Sequence, residues 1–184
     1  MNRFVMVLGT VVLVLTLLST LALATQVLYR SPQQLGAESA LVVSGKVADV
    51  KSYWNASGTK ILTETSITVD DSYKGAAGRT VNVVQLGGVV GHVRMTVHGA
   101  LSWNRGEEVL VFLEPFQDGA WRVSGFSQGK YNIVRDANGA PYIKNAPDTG
   151  VEIKGAPAAT GLPGPARNAA VPLDDFINQA LGRK

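Results

Sequence analysis

Ile61-Leu62-Thr63-Glu64-Thr65-Ser66-Ile67-Thr68-Val69-Asp70 is the stretch on which the fold turns. Successive side chains of an extended chain point to opposite faces. Ile61, Thr63, Thr65, Ile67 and Val69 therefore share one side, and Leu62, Glu64, Ser66, Thr68 and Asp70 the other. Branching at Cβ stiffens Ile, Thr and Val and suits them to a pleated surface. A strand follows, and its texture recurs along the chain. Leu41, Val43 and Val47 alternate with Ser44 and Lys46, and Val81 and Val83 continue the pattern. Further runs span His92 to His98, Val109 to Leu113, Trp121 to Phe126 and Tyr131 to Val134. Turn-forming residues bound each run, and no convincing helix lies among them, which predicts an all-β domain over residues 40–144.

Two runs differ in kind. Val109-Leu110-Val111-Phe112-Leu113 is apolar on both faces, as a central strand covered on both sides should be. His92-Val93-Arg94-Met95-Thr96-Val97-His98 alternates strictly, which predicts a half-exposed strand with His92, Arg94, Thr96 and His98 on its polar face. Asp136-Ala137-Asn138-Gly139 carries the Asn-Gly pair of a tight hairpin, joining residues 131–135 to 142–144.

The flanks read differently. Between Arg3 and Arg30 there is no charge, and only Gly9, Thr10, Thr16, Ser19 and Thr20 interrupt the apolar run 4–24. Ala22-Leu23-Ala24 ends it as a signal-peptide cleavage site would. At ~1.5 Å per residue the run also reaches about 30 Å, enough to span a bilayer. Segment 1–24 is thus a signal peptide or a membrane anchor, and either exports the remainder to the periplasm, envelope or medium. Residues 25–39 form a polar lead-in. Residues 145–170, rich in Ala, Pro and Gly, read as a linker. In 171–184, Leu173, Phe176, Ile177, Ala180 and Leu181 make one face of a short amphipathic helix stopped by Gly182.

The chain of 184 residues carries 17 Lys+Arg against 14 Asp+Glu, a net charge of +3, and no cysteine. Three surplus charges spread thinly are no nucleic-acid footprint. The missing cysteine excludes disulfide scaffolds, thiol nucleophiles and cysteine-ligated metals. An exported domain without disulfides must hold together by burial and sheet hydrogen bonds, and points to a bacterial rather than an animal secretory pathway. On that reading Asn55-Ala56-Ser57, which fits a glycosylation sequon, is a polar turn.

Gly125-Phe126-Ser127-Gln128-Gly129 matches the nucleophile elbow of serine hydrolases. That motif needs a helix next and a histidine later in the chain. Here a strand pattern follows, and both histidines come earlier. His92 and His98 stand ~20 Å apart on an extended strand, too far for one metal ion. Trp54, Trp103 and Trp121 border strands and suit either a core or a recognition surface, with Tyr53-Trp54 the exposed pair on one loop. No metal or cofactor is implied.

Val43-Ser44-Gly45-Lys46-Val47, the Thr-rich strand, Ser72-Tyr73-Lys74-Gly75, the Gly87-Gly88 turn, Gly106 to Leu113 and Gly125 to Lys130 follow one another in an order that resembles a set of uncharacterised exported bacterial proteins. That set is similar to the netrin-like module of tissue inhibitors of metalloproteinases, and the likeness covers residues 40–135. It implies a small antiparallel OB-type barrel of five strands, here with an N-terminal signal or anchor helix and a short C-terminal helix. Those inhibitors seize a protease zinc through an N-terminal cysteine. This chain has none, so that mechanism does not transfer.

The sequence thus predicts an exported, non-enzymatic binding or inhibitor-like module. Its partner is another exported protein, a protease being the class the resemblance suggests. It takes no nucleic acid, and it touches membrane only through residues 4–24 if they are retained. The candidate contact residues are Tyr53, Trp54, His92, Arg94, Thr96, His98 and Trp103. The competing readings are an envelope hydrolase using Ser127 with His92 or His98 as base, and a membrane-tethered structural subunit.

Overall fold

A computed structural model describes residues 27–144, 153–154 and 170–183. The signal or anchor segment 1–24 and nearly all of the linker 145–170 lie outside them. In chain order the elements are β1 (Val27–Leu28), helix α1 (Pro32–Glu38), β2 (Leu41–Trp54), β3 (Ile61–Lys74), β4 (Thr80–Leu86), β5 (Gly88–Val90), β6 (Val93–Met95), β7 (Glu108–Pro115), β8 (Trp121–Val123), β9 (Lys130–Arg135), β10 (Pro141–Lys144), β11 (Ile153–Lys154), β12 (Val171–Pro172) and helix α2 (Leu173–Leu181).

The fold is mostly β. Eight strands form one sheet in the order β12-β10-β9-β7-β2-β3-β4-β8. β8 also pairs antiparallel with β7, Leu113 opposite Val123, and meets β4 in parallel at Val83 and Trp121. That parallel contact makes the sheet mixed, where the sequence predicted antiparallel pairing throughout. β5 and β6 form a separate hairpin, and β1 pairs in parallel with β11.

β7 is buried on both faces, as its sequence predicts. Val109, Val111 and Leu113 join Leu41, Val43, Val47, Ile67, Val81 and Val83 in one core. Leu110 and Phe112 join Leu35, Tyr131, Ile143, Phe176 and Ile177 in a second, formed under the two helices. The Phe176 ring lies tilted against that of Tyr131, centroids 4.7 Å apart, and edge-on to that of Phe112 at 6.4 Å. The amphipathic C-terminal helix therefore docks on the sheet.

The β2–β3 ladder breaks register between Val47 and Asp49, as β-bulges do. Val43 and Val47 face the first core before the break, and Val50 packs against the same core after it. The extra residue at the shift thus keeps Val50 on the core face.

Three stretches depart from the sequence reading. The polar lead-in contains α1, whose Ser31 and Gln34 cap one another through contacts of 3.2 and 2.8 Å with Pro32 at its first turn. The run 121–126 stops as a strand at Val123, because Gly125 and Phe126 both turn left-handed, with φ of 64° and 66°. The run 92–98 is a strand only over Val93–Met95, and Val93 is exposed although its pattern marked it as buried. The hairpin after Arg135 forms as read, Pro141 opposite Arg135 and Tyr142 opposite Val134.

Candidate functional site

The ends of β2, β3 and β4, the β5–β6 hairpin and the chain from Thr96 to Trp103 enclose a groove of about 400 Å³. Its apolar walls come from Val50, Val89, Met95, Val97, Leu101 and Trp103, and its polar groups from Ser52, Thr63, Gln85, Arg94 and Thr96. β2 and β3 pair in antiparallel fashion and place Ser52 beside Thr63, their hydroxyls 2.9 Å apart. Thr63 also donates to the Gly87 carbonyl at 2.7 Å, tying the start of the hairpin to the sheet. Gly88 has to be glycine: at φ +139°, a Cβ there would sit 2.4 Å from both of those hydroxyls.

Gln85 closes the other wall. Its amide donates to the Leu101 carbonyl at 2.7 Å and accepts from the Leu101 N–H at 3.2 Å and the Trp103 indole at 3.4 Å. Trp103 is consequently buried, its ring 4.8 Å from the Lys130 ammonium. Lys130 is itself only 1% exposed, and donates to the Ser102 carbonyl at 2.9 Å and to Glu107 at 3.0 Å. Burial pulls its pKa below the lysine range, with Glu107 acting in the opposite direction. An internal ion pair thus backs the tryptophan at the groove.

Of the residues singled out in the sequence, Arg94, Thr96 and Trp103 converge on this groove. Tyr53 and Trp54 end β2 rather than occupying a loop, pairing with Leu62 and Ile61. Trp54 is 41% exposed, and Tyr53 half-buried. Burial first, then the charges of Glu64 and Asp118, raises the Tyr53 pKa and keeps its hydroxyl a donor. His92 and His98 are exposed and outside the groove lining. Asn55 forms the polar turn expected of it, its Oδ1 accepting from the N–H groups of Thr59 and Lys60 at 2.9 Å each. Gln85, Val50 and Leu101 carried no sequence signal, because only tertiary closure brings them together.

Ser127 does not head a helix. It lies in a turn that runs into β9, and is 5% exposed. Its neighbour Gln128 accepts from the Arg30 N–H at 2.8 Å and donates to the Leu28 carbonyl at 2.9 Å, so the segment clamps the lead-in to the sheet. Among the described residues no three His, Cys, Asp or Glu side chains gather as metal ligands would. Nor, among them, is any helix long and apolar enough to cross a membrane.

No known protein-family model matches the chain, and no curated protein is detectably similar to it.

Proposed function

We propose that the chain is an exported, non-enzymatic binding or inhibitor-like module whose groove end contacts another envelope or secreted protein. The observation that carries this reading is a groove with large apolar side chains exposed at the same end of the fold: Trp54 is 41% exposed, Leu86 41%, Val89 44% and Val93 48%. Scattered single hydrophobics need no explanation, but several exposed at the end of the fold that carries a groove mark an interaction site. Strand order places these at one end of the sheet, since Trp54 closes β2, Leu86 closes β4 on the opposite face, and the hairpin bearing Val89 and Val93 follows directly from β4.

The finer fold reading is an OB-type barrel. Its support is the ring of pairings β7-β2-β3-β4-β8 and back to β7, five strands enclosing one apolar cluster. Export rests on the uncharged apolar run 4–24.

Cross-linking of the full-length protein in its native envelope tests the reading. A stoichiometric protein companion is expected with the wild type. Trp54→Asp combined with Val93→Asp should reduce its capture by ~10-fold or more while leaving the melting temperature unchanged. Equal capture by both proteins overturns the assignment of this surface. Labelling by an active-site serine probe that disappears in Ser127→Ala would overturn the non-enzymatic reading.

A further inference from the structure

The groove carries one charge that nothing among the described residues neutralises. No aspartate or glutamate occurs between Asp71 and Glu107. Within that interval Lys74 donates to the carbonyls of Gly36 and Ala37 at 2.8 and 3.0 Å, and Arg105 pairs with Asp49. Arg79 precedes β4, at the opposite end of that strand from Gln85. Arg94 has no hydrogen-bond or ion-pair partner among the described residues and stands at the groove. It lies opposite Val89 across the β5–β6 ladder, so an unpaired guanidinium and an exposed isopropyl share one face. β6 pairs with β5 and with no other strand among the described residues, which leaves the main-chain groups of its outer edge open.

Another groove, about 470 Å³ between the helices and the end of β3, offers nothing comparable. Its cations are already engaged, Lys74 as above and Arg183 with the Tyr73 carbonyl.

We propose that the groove under the β5–β6 hairpin receives an extended acidic segment of the protein partner. One aspartate or glutamate of that segment meets Arg94, an adjoining apolar side chain enters the groove against Val97, Leu101 and Trp103, and its backbone runs along β6. The proposal rests on the reading of the chain as a protein-binding module and names the partner's chemistry. Arginine binds carboxylates through its planar fork, and an open sheet edge accepts an extended peptide. A membrane surface would call for a cluster of cations beside the apolar tip, and the hairpin supplies Arg94 alone.

Fluorescence polarisation with the full-length protein tests this directly. The probes are two short labelled peptides, one alternating leucine with aspartate and the other leucine with lysine, with phosphatidylglycerol vesicles as a third arm. Saturable binding of the acidic peptide is expected, weakened ~10-fold or more by Arg94→Glu, which should in turn favour the lysine peptide. N-methylation of the acidic peptide's backbone should weaken it as well. Arg94 is exposed and unpaired, so an unchanged melting temperature verifies that the variant folds. No binding, equal binding of both peptides, indifference to Arg94→Glu or preference for vesicles would each overturn the proposal. If Arg94→Glu leaves native partner capture intact while Trp54→Asp with Val93→Asp abolishes it, the acidic-segment chemistry fails and the binding-module reading stands. If neither variant affects capture, both fail.

Discussion

Lys130 holds its ammonium between the Ser102 carbonyl, a Glu107 oxygen and the Trp103 ring, away from water. Breaking a buried pair costs more than replacing it, because the charge left behind loses both solvent and partner. Glu107→Gln should therefore lower unfolding stability by about 2–4 kcal/mol near neutral pH, read from urea denaturation. Lys130→Met should cost less, since the thioether chain packs on Trp103 and the Glu107 side chain, 15% exposed, can hydrate. The pH response has a definite sign. Burial lowers the pKa of Lys130 in the folded protein below its ordinary 10.5. Between the two values the unfolded chain holds the proton and the folded one has released it, so stability from this group rises with pH across that interval. Tyr131 opposes it: burial raises its pKa above the ordinary 10.0, so its contribution falls as pH climbs past that point. Wild type compared with Lys130→Met over alkaline pH isolates the lysine. The expected outcome is an upward slope in the wild type that the variant lacks.

At the scale of elements, the helix pair depends on one missing side chain. A Cβ on Gly36 would lie 2.0 Å from the Ala180 carbonyl oxygen, so the two helices touch backbone to backbone there. Gly36→Ala must push α1 from α2 and should cost about 1–3 kcal/mol in thermal or urea unfolding. α2 was legible in the sequence because Leu173, Phe176, Ile177, Ala180 and Leu181 make an unbroken stripe. α1 was not, because the buried face of its 7 residues, Pro32, Leu35 and Gly36, carries one large apolar side chain, too little contrast for the helical period to register. Its one available signal was Ser31 three residues before Gln34, with proline between. β6 misled in the other direction. Its alternation is genuine, but after the left-handed glycines at 87 and 88 the hairpin forms a sheet of its own, and alternation predicts burial only where a strand has something to lie against.

At the scale of the molecule, the strand runs and the doubly apolar β7 were readable because each is a local pattern. Pairing order was not, since the parallel contact of β8 with β4 joins residues distant in sequence. The groove was half readable for the same reason. Arg94, Thr96 and Trp103 stood out by residue type, while Val50, Gln85 and Leu101 acquire their place only when three strand ends meet. Phe112 is wholly buried between the sheet and α2. Phe112→Ala should cost about 3–5 kcal/mol, and its effect should extend past the helices.

β7 is a party wall, with its alternate residues plastered into rooms on opposite sides. Neither room can be emptied while the other stays furnished. Heating or denaturant should therefore produce a single transition, the tryptophan fluorescence of one side and the helical circular dichroism of the other vanishing along the same curve.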